Sequence, residues 1–205
     1  MRVFTVLGPS QSGKTTLVQH LAGLESGGKP EIADHLALTR FSFLDEDWCA
    51  IDVVGGPECW AMTGAALMAS DAAVICVPAD PEAALLAAPW MRQVEASGTP
   101  CFLFINKMDA AKGRVRDIVE ALQAHSTHSI VLRQIPIREG GIVVGAVDLI
   151  SERAWRYREG LTSALVEIPA AERSREAEAR AQLLEGLSDF DDTLLEELIE
   201  DRAPA

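Results

Sequence analysis

Gly8-Pro9-Ser10-Gln11-Ser12-Gly13-Lys14-Thr15 fits the pattern G-x-x-x-x-G-K-[ST]. Each part of that pattern has a physical task. The glycines let the backbone wrap closely around an anion, so that successive N–H groups point inward. Lys14 supplies a point charge for the outer phosphates, and the Thr15 hydroxyl ligates Mg²⁺. Thr16 continues into a helix whose N-terminus faces the same anion. Gly8 through Thr16 therefore read as a phosphate-binding P-loop. Asp52-Val53-Val54-Gly55 fits D-x-x-G. Here Asp52 is expected to hold Mg²⁺ through a water, and the Gly55 N–H to approach a terminal phosphate. Thr15 and Asp52 are thus the expected metal ligands. Asn106-Lys107-Met108-Asp109 chooses the base. The Asp109 carboxylate can accept two N–H bonds from guanine, at N1 and the exocyclic amine, and adenine cannot offer that pair. Asn106 can tie this loop to the P-loop, and the Lys107 stem can cover the base plane. In this order the three strings specify a site for GTP or GDP with Mg²⁺.

Such a site has to be carried at the ends of buried strands. Val3-Phe4-Thr5-Val6-Leu7 runs into the P-loop, and Cys101-Phe102-Leu103-Phe104-Ile105 runs into Asn106. That run and Ala72-Ala73-Val74-Ile75-Cys76-Val77 are continuously apolar, as strands covered on both faces of a parallel sheet are. Helices are expected between the strands, at about residues 14–24, 59–70, 81–97 and 113–125. Gly98-Thr99-Pro100 closes the third helix. Strand–helix alternation implies a three-layer α/β domain with right-handed crossovers. Phe41-Ser42-Phe43 and Trp48-Cys49-Ala50-Ile51 flank Leu44-Asp45-Glu46-Asp47 and read as a hairpin, which puts one antiparallel strand into an otherwise parallel sheet.

Beyond Ser129 the texture changes. Residues 130–137 and 142–150, around Arg138-Glu139-Gly140-Gly141, read as a second hairpin. A charged, Ala-rich stretch at 170–185 reads as a helix. A last helix carries Leu194, Leu195, Leu198 and Ile199 on one face. The expected division is a domain at 1–128 and a smaller α+β unit at 129–205.

A net charge of −13 speaks against a general nucleic-acid-binding surface, which needs clustered Lys and Arg. Acid gathers near the end, in Asp189, Asp191, Asp192, Glu196, Glu197, Glu200 and Asp201. This reads as a solvated helix face, or as a surface for a basic protein partner. Cys49, Cys59, Cys76 and Cys101 have no CxxC spacing and read as small buried hydrophobes in a reducing compartment. No run of about 18 apolar residues is present, and Met1-Arg2 leads straight into a strand, so a cytoplasmic protein with no membrane span is expected.

The three strings resemble the phosphate, Mg²⁺ and guanine signatures of elongation factor G, a bacterial translational GTPase. The likeness continues through Gln134-Ile135-Pro136-Ile137, Gly145-Ala146-Val147-Asp148-Leu149-Ile150, Glu167-Ile168-Pro169 and residues 183–197, which look like that family's G′ insertion. The resemblance implies a P-loop NTPase fold of the translational-GTPase type: a G domain at 1–128 with a G′-like insertion at 129–205. It implies GTP/GDP and Mg²⁺ as ligands, and the ribosome as a partner through further domains and the acidic G′ region. The chain departs from the family's pattern in four places. The family carries D-T-P-G-H, whose His serves the GTPase step; here Gly56 stands in its place and Val54 replaces the Pro. The first switch is abbreviated and lacks R-G-I-T-I, and Thr39, the nearest threonine, borders a strand. The guanine-contacting S-A loop and the later domains do not follow before Pro204-Ala205, which implies a piece of a longer protein. Of His20, His35, His125 and His128, only His35 falls near the phosphates, and an exposed loop accounts for it as well. No catalytic residue is assigned.

The leading expectation is a guanine-nucleotide-binding, ribosome-associated factor with weak or absent intrinsic GTPase. Two alternatives stand beside it. One is a non-catalytic module that works through the G′ surface; the other is a P-loop ATPase or small-molecule kinase, against which Asn106-Lys107-Met108-Asp109 speaks.

Overall fold

The computed structural model describes residues 1–54, 59–159, 161–188 and 190–199. Gly55 and Gly56 lie outside the described residues, as do Asp189, Glu200, Asp201, Pro204 and Ala205. The chain forms two compact units, Met1–His128 and Ser129–Ala205.

The first unit runs β1 (Arg2–Leu7), α1 (Lys14–Ala22), β2 (Ser26–Gly27), β3 (Glu31–Ala33), β4 (Leu36–Phe43), β5 (Glu46–Val53), α2 (Trp60–Met68), β6 (Ala72–Pro78), α3 (Pro81–Ala84), α4 (Ala88–Ser97), β7 (Cys101–Asn106) and α5 (Val115–Gln123). Its sheet has the order β2-β4-β5-β1-β6-β7, with β3 also pairing to β4. β5, β1, β6 and β7 are parallel. β4 pairs antiparallel with β5, β2 and β3, so it is the reversed strand among those described. Leu44 and Asp45 join β4 to β5, both with positive φ, as a two-residue type I′ turn demands. Val6, Leu7, Ile75, Cys76 and Val77 are fully buried, which is why β1 and β6 read as unbroken apolar runs. α1 packs Val18 and Ala22 on Phe4, Val6, Phe41 and Ala50. Phe4 meets Phe41 and Trp48 edge-on at 6.3 and 6.2 Å between ring centroids.

Two sequence expectations need correction here. The helix expected at 81–97 is broken into α3, a 3₁₀ turn at Leu85–Ala87, and α4. Pro89 is the reason: it has no N–H to donate, and its ring clashes with the carbonyl four residues back, so a continuous helix cannot pass through it. It sits instead in the first turn of α4, where neither cost arises. The segment between α1 and β4, read as an abbreviated loop, contains β2 and β3.

The second unit is a four-stranded antiparallel sheet with two helices. Its elements are β8 (Gln134–Glu139), β9 (Ile142–Asp148), β10 (Arg153–Arg158), β11 (Leu161–Val166), α6 (Arg173–Ser188) and α7 (Asp192–Ile199). β8 and β9 are the expected hairpin; β10 and β11 are additions to it. The cross-strand row Ile135–Val147–Ala154–Val166 carries the core, on which Leu183 of α6 packs. β10 hides its strand character because only Ala154 of Arg-Ala-Trp-Arg-Tyr-Arg is buried.

Candidate nucleotide-binding site

β1, β5 and β7 end at one edge of the sheet, in register: Val6 pairs with Asp52, and Pro78 of β6 with Asn106. Ligands of parallel α/β sheets bind beyond this carboxyl edge. The loop from β1 to α1 bends back under itself. Gly8 has φ +132° and lies so close to β6 that a Cβ there would sit 2.3 Å from the Cys76 carbonyl oxygen. Gly13 has φ +97°, and a Cβ would stand 2.1 Å from the Asn106 Nδ2. At both positions a side chain is excluded by backbone conformation and by contact.

Lys14 is buried, and its Nζ donates to the Gly8 and Pro9 carbonyls at 2.9 and 3.1 Å. Burial pulls its pKa below the ordinary lysine value, and the nearby Asp52 carboxylate works against that shift. The Thr15 hydroxyl donates to Asp52 Oδ2 at 2.5 Å. Asp52 is 2% exposed, and its other oxygen, Oδ1, has no hydrogen-bond partner. Burial raises its pKa, with the Thr15 hydrogen bond and Lys14 acting in the opposite direction. α1 begins at Lys14 with no side-chain cap and no acid in its first turn, so its leading N–H groups are available to an anion.

The 106–109 loop closes on this structure. Asn106 Nδ2 donates to the Ser12 carbonyl at 2.9 Å, across 94 residues of chain. Lys107, with φ +59°, donates from Nζ to the Gln11 carbonyl at 2.7 Å. Its backbone N–H bonds Asn106 Oδ1 at 2.8 Å. Asp109 lies in the 3₁₀ turn Met108–Ala110 and is exposed. A cleft of ≈ 370 Å³ is lined by Ser10, Gln11, Gly13, Lys14, Thr15, Thr16, Val54 and Lys107.

The residues suit a phosphate chain with Mg²⁺. A buried carboxylate oxygen without a partner beside a hydroxyl is a donor set in want of a hard cation. Among the described residues no three His, Cys, Asp or Glu side chains cluster. Mg²⁺ commonly keeps waters and phosphate oxygens and takes only one or two protein ligands.

The chain is similar to elongation factor G-like proteins. It is 32% identical to the elongation factor G-like protein of a Synechocystis species over all of its own length, and spans 34% of that relative. It is 33% identical to the mitochondrial elongation factor G of Anopheles gambiae over 113 residues, which is 54% of this chain and 15% of that protein. No family model matches. A crystal structure of a Thermus thermophilus protein superposes over the full chain with a TM-score of 0.80 at 24% identity, covering 34% of that structure, and shows a shared fold.

The structure therefore brings Gly8, Pro9, Ser10, Gln11, Ser12, Gly13, Lys14, Thr15, Thr16, Asp52, Asn106 and Lys107 to one edge. Asp109 lies three residues from Asn106, and Gly55 is outside the described residues. Thr39 lies inside β4, 5% exposed and paired with Ala50, as a strand residue. Two contributors escape sequence reasoning. The buried Cys76 donates its thiol to the Ser12 carbonyl at 3.1 Å, the same oxygen that Asn106 holds. The His35 carbonyl accepts from the Val54 N–H at 2.8 Å. A thiol in an apolar run reads only as core, and a main-chain bond leaves no mark on residue type. Cys101 departs from the buried reading and is exposed on β7.

Proposed function

We propose that this chain is the guanine-nucleotide-binding part of an elongation-factor-G-like translation factor, with a G domain at 1–128, a G′-like insertion at 129–205 and weak or absent intrinsic GTPase activity. The observation that carries the reading is the pair of bonds from Asn106 and Lys107 to the Ser12 and Gln11 carbonyls. They make one site of a loop suited to phosphate and a loop suited to a base. Lys14 exchanges its carbonyl partners for outer phosphate oxygens. The Thr15 hydroxyl and Asp52 hold Mg²⁺, which supplies charge neutralisation between phosphates. Gly55, which lies outside the described residues, is assigned to the terminal phosphate from its place in D-x-x-G alone, and Asp109 pairs with guanine N1–H and the amine. The ribosome is the proposed partner, in keeping with the names of the chain's relatives as elongation factors.

The base assignment has a sharp test. Asp109→Asn places an amide donor opposite guanine's N1–H and leaves a desolvated polar group unpaired, at a cost of about 1–3 kcal/mol. Calorimetry is expected to show GDP weakened by about 10- to 100-fold, with xanthosine diphosphate relatively favoured. Unchanged GDP affinity removes Asp109 from the base site.

A further inference from the structure

β3 and β4 are joined by Asp34 and His35, with φ of 42° and 68°. Two such residues in succession make a type I′ hairpin turn. The ladder leading into it is regular: Glu31 pairs with Leu38, Ile32 with Ala37 and Ala33 with Leu36. On its other side β4 is registered on β5, with Ala37 opposite Asp52 and Leu36 opposite Val53. The turn therefore overhangs the carboxyl end of β5, with His35 about 7 Å beyond the level of Asp52 at the rise of a strand. That is the side on which the cleft of Lys14 and Thr15 lies, since Val54, which follows β5, lines it. The overhang is tied down, because the His35 carbonyl accepts from the Val54 N–H at 2.8 Å, and Val54 lines the cleft beside Lys14, Thr15 and Thr16. Of the other histidines, His20 is on α1 with its ring bonded to the Thr16 carbonyl, and His125 and His128 follow α5.

We infer that this hairpin tip is a fixed outer wall of the phosphate site, and that His35 donates a hydrogen bond from its imidazole to the terminal phosphate of a nucleoside triphosphate. His35 is thus a residue that distinguishes triphosphate from diphosphate, standing where the sequence lacks a longer switch with its threonine. The inference rests on the guanine-nucleotide reading above.

The test uses the whole chain with Mg²⁺. Four imidazoles are few enough to resolve by NMR, and His35→Gly assigns the signal of interest. This substitution also preserves the fold, since Asp-Gly is a favoured type I′ pair. A non-hydrolysable GTP analogue is expected to shift the His35 signal, and GDP to leave it in place. His35→Gly is expected to weaken the analogue by about three- to tenfold and to leave GDP within about twofold. Equal shifts with both nucleotides, no shift with either bound, or unchanged analogue affinity in His35→Gly each overturn the inference. If neither nucleotide binds the unmodified chain, the failure lies in the guanine-nucleotide reading, and the inference falls with it.

Discussion

Asp52 couples the chemistry of the site to the stability of the ligand-free chain. Its carboxyl is buried, one oxygen bonds Thr15 and the other has no partner. Burial raises its pKa above the ordinary 3.8, with Thr15 and Lys14 opposing. The folded chain therefore holds this proton more tightly than the unfolded chain does. The resulting stabilisation is complete below the ordinary value and is lost as pH rises through the raised one, so that at neutral pH a buried charge burdens the fold. Asp52→Asn keeps an acceptor for Thr15 and removes that charge. It is expected to melt higher than the parent at pH 7 without Mg²⁺, and the gain is expected to shrink toward a pH of about 3.5, near the ordinary carboxylate value. The same variant is expected to lose the Mg²⁺ dependence of nucleotide binding. A lower melting temperature at pH 7 contradicts this account of Asp52. Gly13 illustrates a different constraint: its φ of +97° is one that a side chain strains, and Asn106 Nδ2 lies where its Cβ would stand. The pattern G-K-[ST] is thus tied to Asn106, far along the chain.

At the scale of elements, the proposed function makes the segment between α1 and β4 the place where any difference between the GDP and GTP complexes is expected. A working switch loop is ordered by a terminal phosphate and released without it. Here β2 and β3 are already paired to β4, and the 34–35 turn is bonded to Val54. A ligand shifts an equilibrium only by its differential affinity for the two states. GDP and a non-hydrolysable GTP analogue are therefore expected to bind within about tenfold, which is about 1.4 kcal/mol. Amide exchange over residues 24–39 is expected to change little between the complexes; strong protection confined to the analogue complex restores a switching loop. The same segment shows where sequence reading reaches its limit. β1 and β6 are legible because strands buried on both faces must be apolar throughout, and each motif has to follow a strand. β7 carries the same apolar pattern but corrects the reading of a strand covered on both faces: it is the last strand of its sheet, none of its residues is buried, and Cys101, Phe102 and Phe104 are exposed. β2 and β3 are not legible: they are two and three residues long, β3 is exposed throughout, and β4 is the strand that both pair with. Three arginines mask β10, whereas the break before α4 is written in Pro89 and lies hidden only in the apolar pattern around it.

For the whole molecule, charge, length and missing side chains set the expected behaviour. A net charge of −13 disfavours phosphate-backbone partners, and among the described residues no helix is long and apolar enough to cross a membrane. The chain spans about a third of the length of its elongation factor G-like relative. Gly56 offers no side chain to position an attacking water. GTPases without a full catalytic complement turn over at roughly 10⁻³ s⁻¹ or less, and single-turnover phosphate release is expected at or below that order. Release faster by about a thousandfold points to a further catalytic group, with His35 the first to test. All of this depends on the chain being a guanine-nucleotide site, which titration of labelled GDP, GTP and ATP, with and without Mg²⁺, tests most directly. GDP and GTP are expected to bind and compete with each other, Mg²⁺ to strengthen both, and excess ATP to displace neither. Displacement by ATP as effective as by GTP, or no binding of any of the three, contradicts the account.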